Sequence, residues 1–434
     1  MKQIQSDDYY TGFINDYLES KSAYNDRLIL QDGELVYVSS SVSSREAKWF
    51  EQMGIKKSSD YYTVEFDSAG GTEISSQSIK TGNKAKKPKN PTKSGGVFLG
   101  WYYMKEGGTE QAPTYTEMEF DFNSPIVNNY SLYAKYSGEA IMMARKGNTA
   151  FWQERYRSNI TNIIFCKNSA LIPTSSDIIE SWNVEADENC ASIVAYLIDD
   201  GTGNSTYKLI IYSENTIYSN MNSYNYFYNF TKLSSITFDN FNTSKVITMF
   251  NMFYNCTTIG SIDISNFNTS NVTNMGEIFA NCSSLTSLNF GDNFDTTKVR
   301  TMISMFSNCS SLTSLDVSNF NTSNVTDMSA MFYKCRNLNN LNLNNFDTSK
   351  VKKMSLYVNS TKGYFGMFHG CANLSTEITI KGNVETYKNI FLNAATASGT
   401  QIVVNYTDDT ESFVNNMIIE KSMNSNVIKG EKIK

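Results

Sequence analysis

Seven cysteines and a single histidine carry the most reactive side chains of this 434-residue sequence. His369 stands two residues before Cys371, a spacing at which an imidazole could take a thiol proton and leave a nucleophilic thiolate. The equivalent slot elsewhere in the chain holds Tyr254, Ala280, Ser307 and Tyr333, so position 369 is simply variable. Cys256, Cys282, Cys309 and Cys335 recur every 26 or 27 residues, and Cys371 continues the series after an insertion. This spacing suits neither a Cys-x-x-Cys metal site nor a secreted disulfide framework. One slot repeated through a stack faces inward, where cysteine behaves as a small hydrophobe. Cys166 and Cys190 fall outside the series and are the pair a disulfide could join. The stretch Asp199–Asn204 is oxygen-rich, as a calcium loop is, but the distal Glu is missing and a hairpin loop explains it. No Ser-His-Asp set or phosphate loop is present. The expectation is a non-enzyme with no catalytic residue, no metal and no cofactor.

Composition narrows the classes further. Charged residues are 18% of the chain and the net charge is −6, so Asn, Ser and Thr carry solubility and no nucleic-acid partner is implied. No apolar run reaches the roughly 20 residues of a membrane-spanning helix, so no membrane insertion is expected in this chain. Met1-Lys2-Gln3-Ile4-Gln5 leads straight into Asp7-Asp8 without an apolar leader, and Lys429–Lys434 carries no sorting signal. Export and anchoring segments are therefore expected to lie outside this sequence.

The elements that position these residues follow from local pattern. Residues 1–58 read as helix, hairpin, helix: Tyr9, Phe13 and Tyr17 recur at helical spacing, Asp32-Gly33 joins two strand-like runs, and Ser43-x-x-Glu46 is a capping box. Residues 61–137 hold four of the five prolines and strand-like runs at Tyr62–Phe66, Phe98–Tyr102 and Ser131–Tyr136. Their lysines Lys84, Lys86, Lys87, Lys89 and Lys93 read as a solvated loop. Residues 138–225 form a β-rich cap. Residues 226–395 repeat one sentence, clearest from Met305 to Met328, and residues 396–434 close the array. In the unit from Cys309 to Cys335, Leu312, Leu315 and Val317 alternate with polar residues as a half-buried strand. Thr322 or Ser323 then offers an N-cap, and Val325, Met328, Met331, Phe332 and Cys335 recur as one face of a short helix. Asn240, Asn266, Asn293, Asn319 and Asn345 align before the turn phenylalanine and suggest a stack bonded to adjacent backbones. A short fixed period of this kind predicts a solenoid of strand-turn-short helix coils, hence an α+β class.

Two resemblances attach to these motifs. Phe98-x-Gly100-Trp101-Tyr102 with Leu132-Tyr133-Ala134-Lys135 resembles the B-repeat of internalins, which implies a small β-grasp-like module used as a spacer or interaction unit. Asn319-Phe320-Asn321-Thr322-Ser323-x-Val325-Thr326-x-Met328 resembles the BspA-type leucine-rich repeats of bacterial surface proteins, from about Tyr226 to Leu374. That resemblance implies extracellular or cell-surface display and adhesion to a protein or glycan ligand of a host, a matrix or a neighbouring cell. The alternative reading is a structural, self-assembling subunit of a pilus-like appendage or virion fibre.

Binding surface is sparse in this pattern. The outward strand positions, such as Ser261, Asp263, Ser314 and Asp316, are small and polar, whereas binding hot spots favour Trp, Tyr and Arg. Two places are richer: the cluster Tyr218, Tyr224 and Tyr226 where the array begins, and the insertion from Leu356 to Tyr364 with Tyr357 and Tyr364. These five tyrosines are the candidate ligand-binding residues.

Overall fold

The computed structural model describes residues 28–31, 34–37, 50, 56–57, 61–69, 71–93, 97–109, 112–143, 151–186 and 190–433. The chain divides into two compact units, Met1–Ser137 and Gly138–Lys434. The helical segments expected within residues 1–58 fall almost wholly outside the described residues. Between them, Leu28–Gln31 and Glu34–Tyr37 pair antiparallel with Gln31 opposite Glu34. The Asp32-Gly33 turn expected between them lies outside the described residues.

The rest of the first unit is a mixed five-stranded sheet in the order Gln77–Lys80, Tyr61–Asp67, Tyr130–Tyr136, Phe98–Thr109, Ala112–Glu119. Period-two alternation in Tyr61–Asp67 sends Tyr62, Val64 and Phe66 inward. They meet Trp101, whose ring lies 5.0 Å from that of Phe66 in an edge-on contact, together with Phe120, Leu132 and Tyr136. Lys84, Lys86, Lys87 and Lys89 are exposed, and Lys93 donates from Nζ to the Ala69 carbonyl at 2.7 Å. No helix occurs among the described residues from 61 to 137.

The second unit opens with a sheet in the order Ile178–Asn183, Val194–Asp199, Tyr207–Tyr212, Ile160–Cys166, Ser235–Phe238. Its first pairings are antiparallel and its last two are parallel. It converts a hairpin edge into a parallel ladder that the following coils extend. Ser261–Asp263 pairs parallel with Ser287–Asn289, and Asn340–Asn342, Ser375–Ile380, Ile402–Tyr406 and Val427–Lys432 form a parallel sheet at the far end. A second line of parallel bridges runs through Asn222, Thr248, Asn274, Thr301, Asp327, Lys353 and Thr386, one residue from each successive coil.

The repeats correct the sequence expectation of an α+β leucine-rich-repeat solenoid built from strand-turn-short helix coils. No residue between 226 and 395 is helical; the described helices Glu154–Arg157 and Glu411–Ile419 lie outside that stretch, and the architecture is mostly β. The segment read as a helix face is a run of turns. Asn251 and Asn255 have φ of 59° and 60°, Glu277 and Asn281 54° and 62°, Ser304 and Asn308 51° and 60°, Ala330 and Lys334 54° and 57°. A left-handed residue at every fourth position ends a right-handed helix before it can close a second turn. The freed N–H groups go to the next coil instead: Asn251 to the Gly276 carbonyl, Phe253 to Ile278, Asn255 to Ala280, at 2.8–3.0 Å. Cross-coil bonding replaces the intrahelical ladder.

Three side-chain columns hold the coils together. Phe227, Phe253, Phe279, Phe306, Phe332, Phe368 and Phe391 stack face to face, with centroids 5.0–5.9 Å apart and planes within 17°. Thr243, Thr269, Thr296, Thr322 and Thr348 are buried, and each Oγ1 donates at 2.7–3.0 Å to a carbonyl of the following coil. Thr322 is therefore no helix cap; it bonds Asp347 in the neighbouring coil. The cysteines form the third column.

Candidate functional site: an aromatic wall on the turn segments

Cys256, Cys282, Cys309, Cys335 and Cys371 are fully buried, and each Sγ donates to the carbonyl of a stacked phenylalanine one coil back, at 2.9–3.1 Å. Burial pushes all five thiols above their usual range, Cys282 and Cys335 to about 12. They are thiols in an apolar column, without nucleophilic character. Cys166 and Cys190 are not joined to each other by a disulfide. Among the described residues no three His, Cys, Asp or Glu side chains converge as metal ligands. In the Asp199–Asn204 loop the carboxylates are taken up locally: Asp199 accepts from the Gly201 N–H, and Asp200 accepts from Thr202 and Thr161.

The asparagines before the turn divide into two groups. The Nδ2 groups of Asn240, Asn266 and Asn345 donate to backbone carbonyls of preceding segments, at distances down to 2.7 Å. Asn293 and Asn319 are exposed, and their side chains make no such bond among the described residues.

The candidate tyrosines separate by side-chain direction. Tyr224, Tyr226 and Tyr228 sit on a run of turns with left-handed residues at Asn225 and Asn229, so the period-two rule of a strand does not govern their directions. Tyr226 points inward: it is fully buried, its hydroxyl donates to the Met143 carbonyl at 2.9 Å, and it accepts from the Asn220 N–H at 3.0 Å. It belongs to the core and cannot touch a ligand. Tyr218 is half-buried beneath the Lys245 ammonium, 5.0 Å from its ring, and Lys245 is itself buried in an ion pair with Glu139 at 2.7 Å. Tyr224 faces outward, stacked on Phe250 at 5.7 Å.

Sequence reasoning missed the fuller extent of this wall. Tyr228 stacks on Tyr254 at 5.1 Å with planes 14° apart, and the Arg157 guanidinium lies 5.8 Å from the Tyr228 ring. The signal was available: Phe250 and Tyr254 sit one repeat of 26 residues after Tyr224 and Tyr228. Asn225 and Asn251 are left-handed and lie along the chain between the paired rings, and Glu277 takes the same left-handed slot in the next coil. The Oδ1 atoms of both asparagines are buried without a hydrogen-bond partner. Burial raises the Glu277 carboxyl to about 7, and its charge in turn helps raise Tyr254. Gly276 lets the wall close, since a Cβ there would meet the Phe250 ring at 2.8 Å and Ile303 at 2.7 Å.

The insertion forms a β-hairpin, Ser355–Asn359 against Gly363–Gly366, with Tyr357 opposite Tyr364. Phe365 seats it by stacking on Tyr333 at 4.2 Å. Tyr357 is 54% exposed, its ring lies 5.1 Å from that of Tyr364, and the Lys388 ammonium stands 5.3 Å from the Tyr364 ring. Unlike the strand face, both places offer flat rings beside a cation.

Known families match these regions. Residues 219–402, in overlapping stretches 219–315, 262–367 and 287–402, match a family described as Mycoplasma protein of unknown function, DUF285. Residues 62–135 match the Listeria-Bacteroides repeat domain. Over these two stretches the chain is similar to two bacterial families. No solved structure matches it. The first match covers Tyr224, Tyr228, Tyr254 and the hairpin, whereas Arg157 and Tyr218 lie before it.

Proposed function

We propose that this chain is a non-catalytic binding protein of a bacterial surface, which holds an extracellular protein or glycan on the aromatic rings of its turn wall. One observation carries the reading. Outward strand positions present small polar groups such as Ser261 and Asp263, whereas rings and cations gather at Tyr224, Tyr228, Tyr254 and Arg157 and at Tyr357, Tyr364 and Lys388. Aromatic and arginine side chains supply large contact area at low entropic cost, as binding surfaces require. The two matched repeat families and the BspA-like and internalin-like signatures support surface display and adhesion. No helix among the described residues is long and apolar enough to cross a membrane.

The test is an array of immobilised matrix proteins and glycans probed with the native chain and with Tyr228→Ala/Tyr254→Ala and Tyr357→Ala variants. The expected result is that binding to at least one arrayed ligand falls about tenfold or more in a variant, since losing a ring from a hot spot costs about 2 kcal/mol. Equal binding by all three proteins, or none by the native chain, would overturn the proposal.

A further inference from the structure

A second surface departs from the repeat in charge. In the first four coils the left-handed residue before the ladder cysteine or its equivalent is Asn229, Asn255, Asn281 or Asn308. These amides bond one another, Asn255 to Asn229 at 2.9 Å and Asn308 to Asn281 at 2.8 Å. At the next coil the same slot holds Lys334. On the other side of the cysteine, Thr257, Ser283 and Ser310 give way to Arg336. One coil further on, His369 occupies the slot of Tyr333. The backbone continues its ladder unbroken, because the Lys334 N–H donates to the His369 carbonyl at 2.8 Å. The change is therefore confined to the side chains.

Lys334, Arg336 and His369 line one pocket of about 290 Å³, together with Asn393, Thr396 and Asn424. No carboxylate lines it. Lys334 leans on the Tyr333 ring at 4.9 Å, and neither Lys334 nor Arg336 forms an ion pair among the described residues. Gly370, at φ +80°, leaves room for the lysine stem, since a Cβ there would lie 3.2 Å from Lys334 Cγ. Nδ1 of His369 is buried and has no hydrogen-bond partner. Burial, then the nearby Lys334 charge, hold this imidazole below its ordinary pKa, while the Tyr364 carbonyl pulls the other way. Two cationic residues, Lys334 and Arg336, thus line one small cavity with His369 beside them, in a chain whose net charge is −6. Concentrated positive potential in a cleft attracts anions, and a guanidinium beside an ammonium matches a carboxylate or sulfate.

We propose that the Lys334–Arg336–His369 pocket binds a single oxyanion, carboxylate or sulfate, carried on a unit the size of one sugar. The volume sits at the lower end of ligand pockets, enough for a monosaccharide and too small for an extended chain. This site is separate from the rings at Tyr224, Tyr228 and Tyr254; it adjoins the hairpin, since Lys334 leans on Tyr333 and Tyr333 stacks on Phe365, and its test leaves the tyrosines of both places unsubstituted.

The test is calorimetric titration of the full chain with glucuronate, with N-acetylglucosamine 6-sulfate and with neutral N-acetylglucosamine. The same titrations are run on Lys334→Asn/Arg336→Ser, which restores residues the other coils carry in those slots and so keeps the fold. The expected result is binding of an acidic sugar that weakens about tenfold or more in the double variant. It should also weaken as salt rises from about 50 mM to about 300 mM. A stronger response to glucuronate identifies the carboxylate as the recognised group, and a stronger response to the sulfated sugar identifies the sulfate. Absence of binding by both acidic sugars, equal binding by the double variant, or equal binding of the neutral sugar would each overturn the proposal.

Discussion

Glu277→Gln isolates the energetic cost of the wall's half-buried carboxylate. Burial alone raises this carboxyl from 4.5 to about 7. A raised acid pKa means that the folded chain holds a proton which the unfolded chain has released. The stabilising contribution is thus complete below the unfolded value near 4.5 and is lost as pH rises through 7. At about 1.4 kcal/mol per pKa unit, the native chain forfeits about 3 kcal/mol by pH 8 and only about 1 kcal/mol at pH 5. Residual solvent contact makes the larger figure an upper bound. The glutamine side chain keeps the shape and the left-handed backbone, φ +54°, so that strain cancels in the comparison. Urea unfolding of both proteins at pH 5 and pH 8 should give a stability gap in favour of the glutamine variant that widens by about 2 kcal/mol between the two values. His369 titrates in both proteins and cancels as well. A gap that is constant with pH, or one that narrows toward pH 8, would refute the assignment of the raised pKa to Glu277.

Two further outcomes follow from the columns. Thr322→Val should cost about 2–4 kcal/mol in urea unfolding, because Oγ1 both donates to the Asp347 carbonyl at 3.0 Å and accepts from its N–H at 2.7 Å, and both would be left unpaired. Thr322→Ser keeps those bonds and should cost about 1 kcal/mol, so equal costs would show that the threonine column acts by packing alone. Thiol titration at pH 8 should leave the five ladder cysteines unmodified in the native chain and find all five reactive in denaturant. Rapid native labelling of Cys309 would refute the buried column.

The sequence made the period legible and left the conformation ambiguous, for a physical reason visible in single coils. Met249, Met252, Phe253 and Cys256 are buried, and their spacing of three, one and three residues is that of a helix face. A ribbon of turns with left-handed residues at Asn251 and Asn255 presents the same four side chains to the same side. Hydrophobic spacing therefore cannot choose between them. The deciding signal is the residue type at those two slots: Asn225 and Asn229, then Asn251 and Asn255, four apart and tolerant of positive φ. Later coils erase it, since Glu277, Ala330 and Lys334 occupy the same left-handed slots without any preference for them. There the conformation is imposed by the neighbouring coil, whose carbonyls take the N–H groups of Glu277 at 2.7 Å and Lys334 at 2.8 Å. A left-handed alanine costs on the order of 1 kcal/mol or more, and the cross-coil bonds together with a phenylalanine column continuous from Phe227 to Phe391 offset it. The same logic governs the surface. Tyr224 and Tyr228 could be placed outward and Tyr226 inward only once this segment was known to be a run of turns with left-handed Asn225 and Asn229, which is why a tyrosine cluster legible as composition became a wall of specific rings only in the fold. Because each coil inherits its backbone from the next, outward slots are released from any structural duty. Lys334, Arg336 and His369 stand where amides, hydroxyls and a tyrosine stand elsewhere, on an unchanged ladder, and chemical novelty in this molecule is to be sought at such departures and not in the repeated motif.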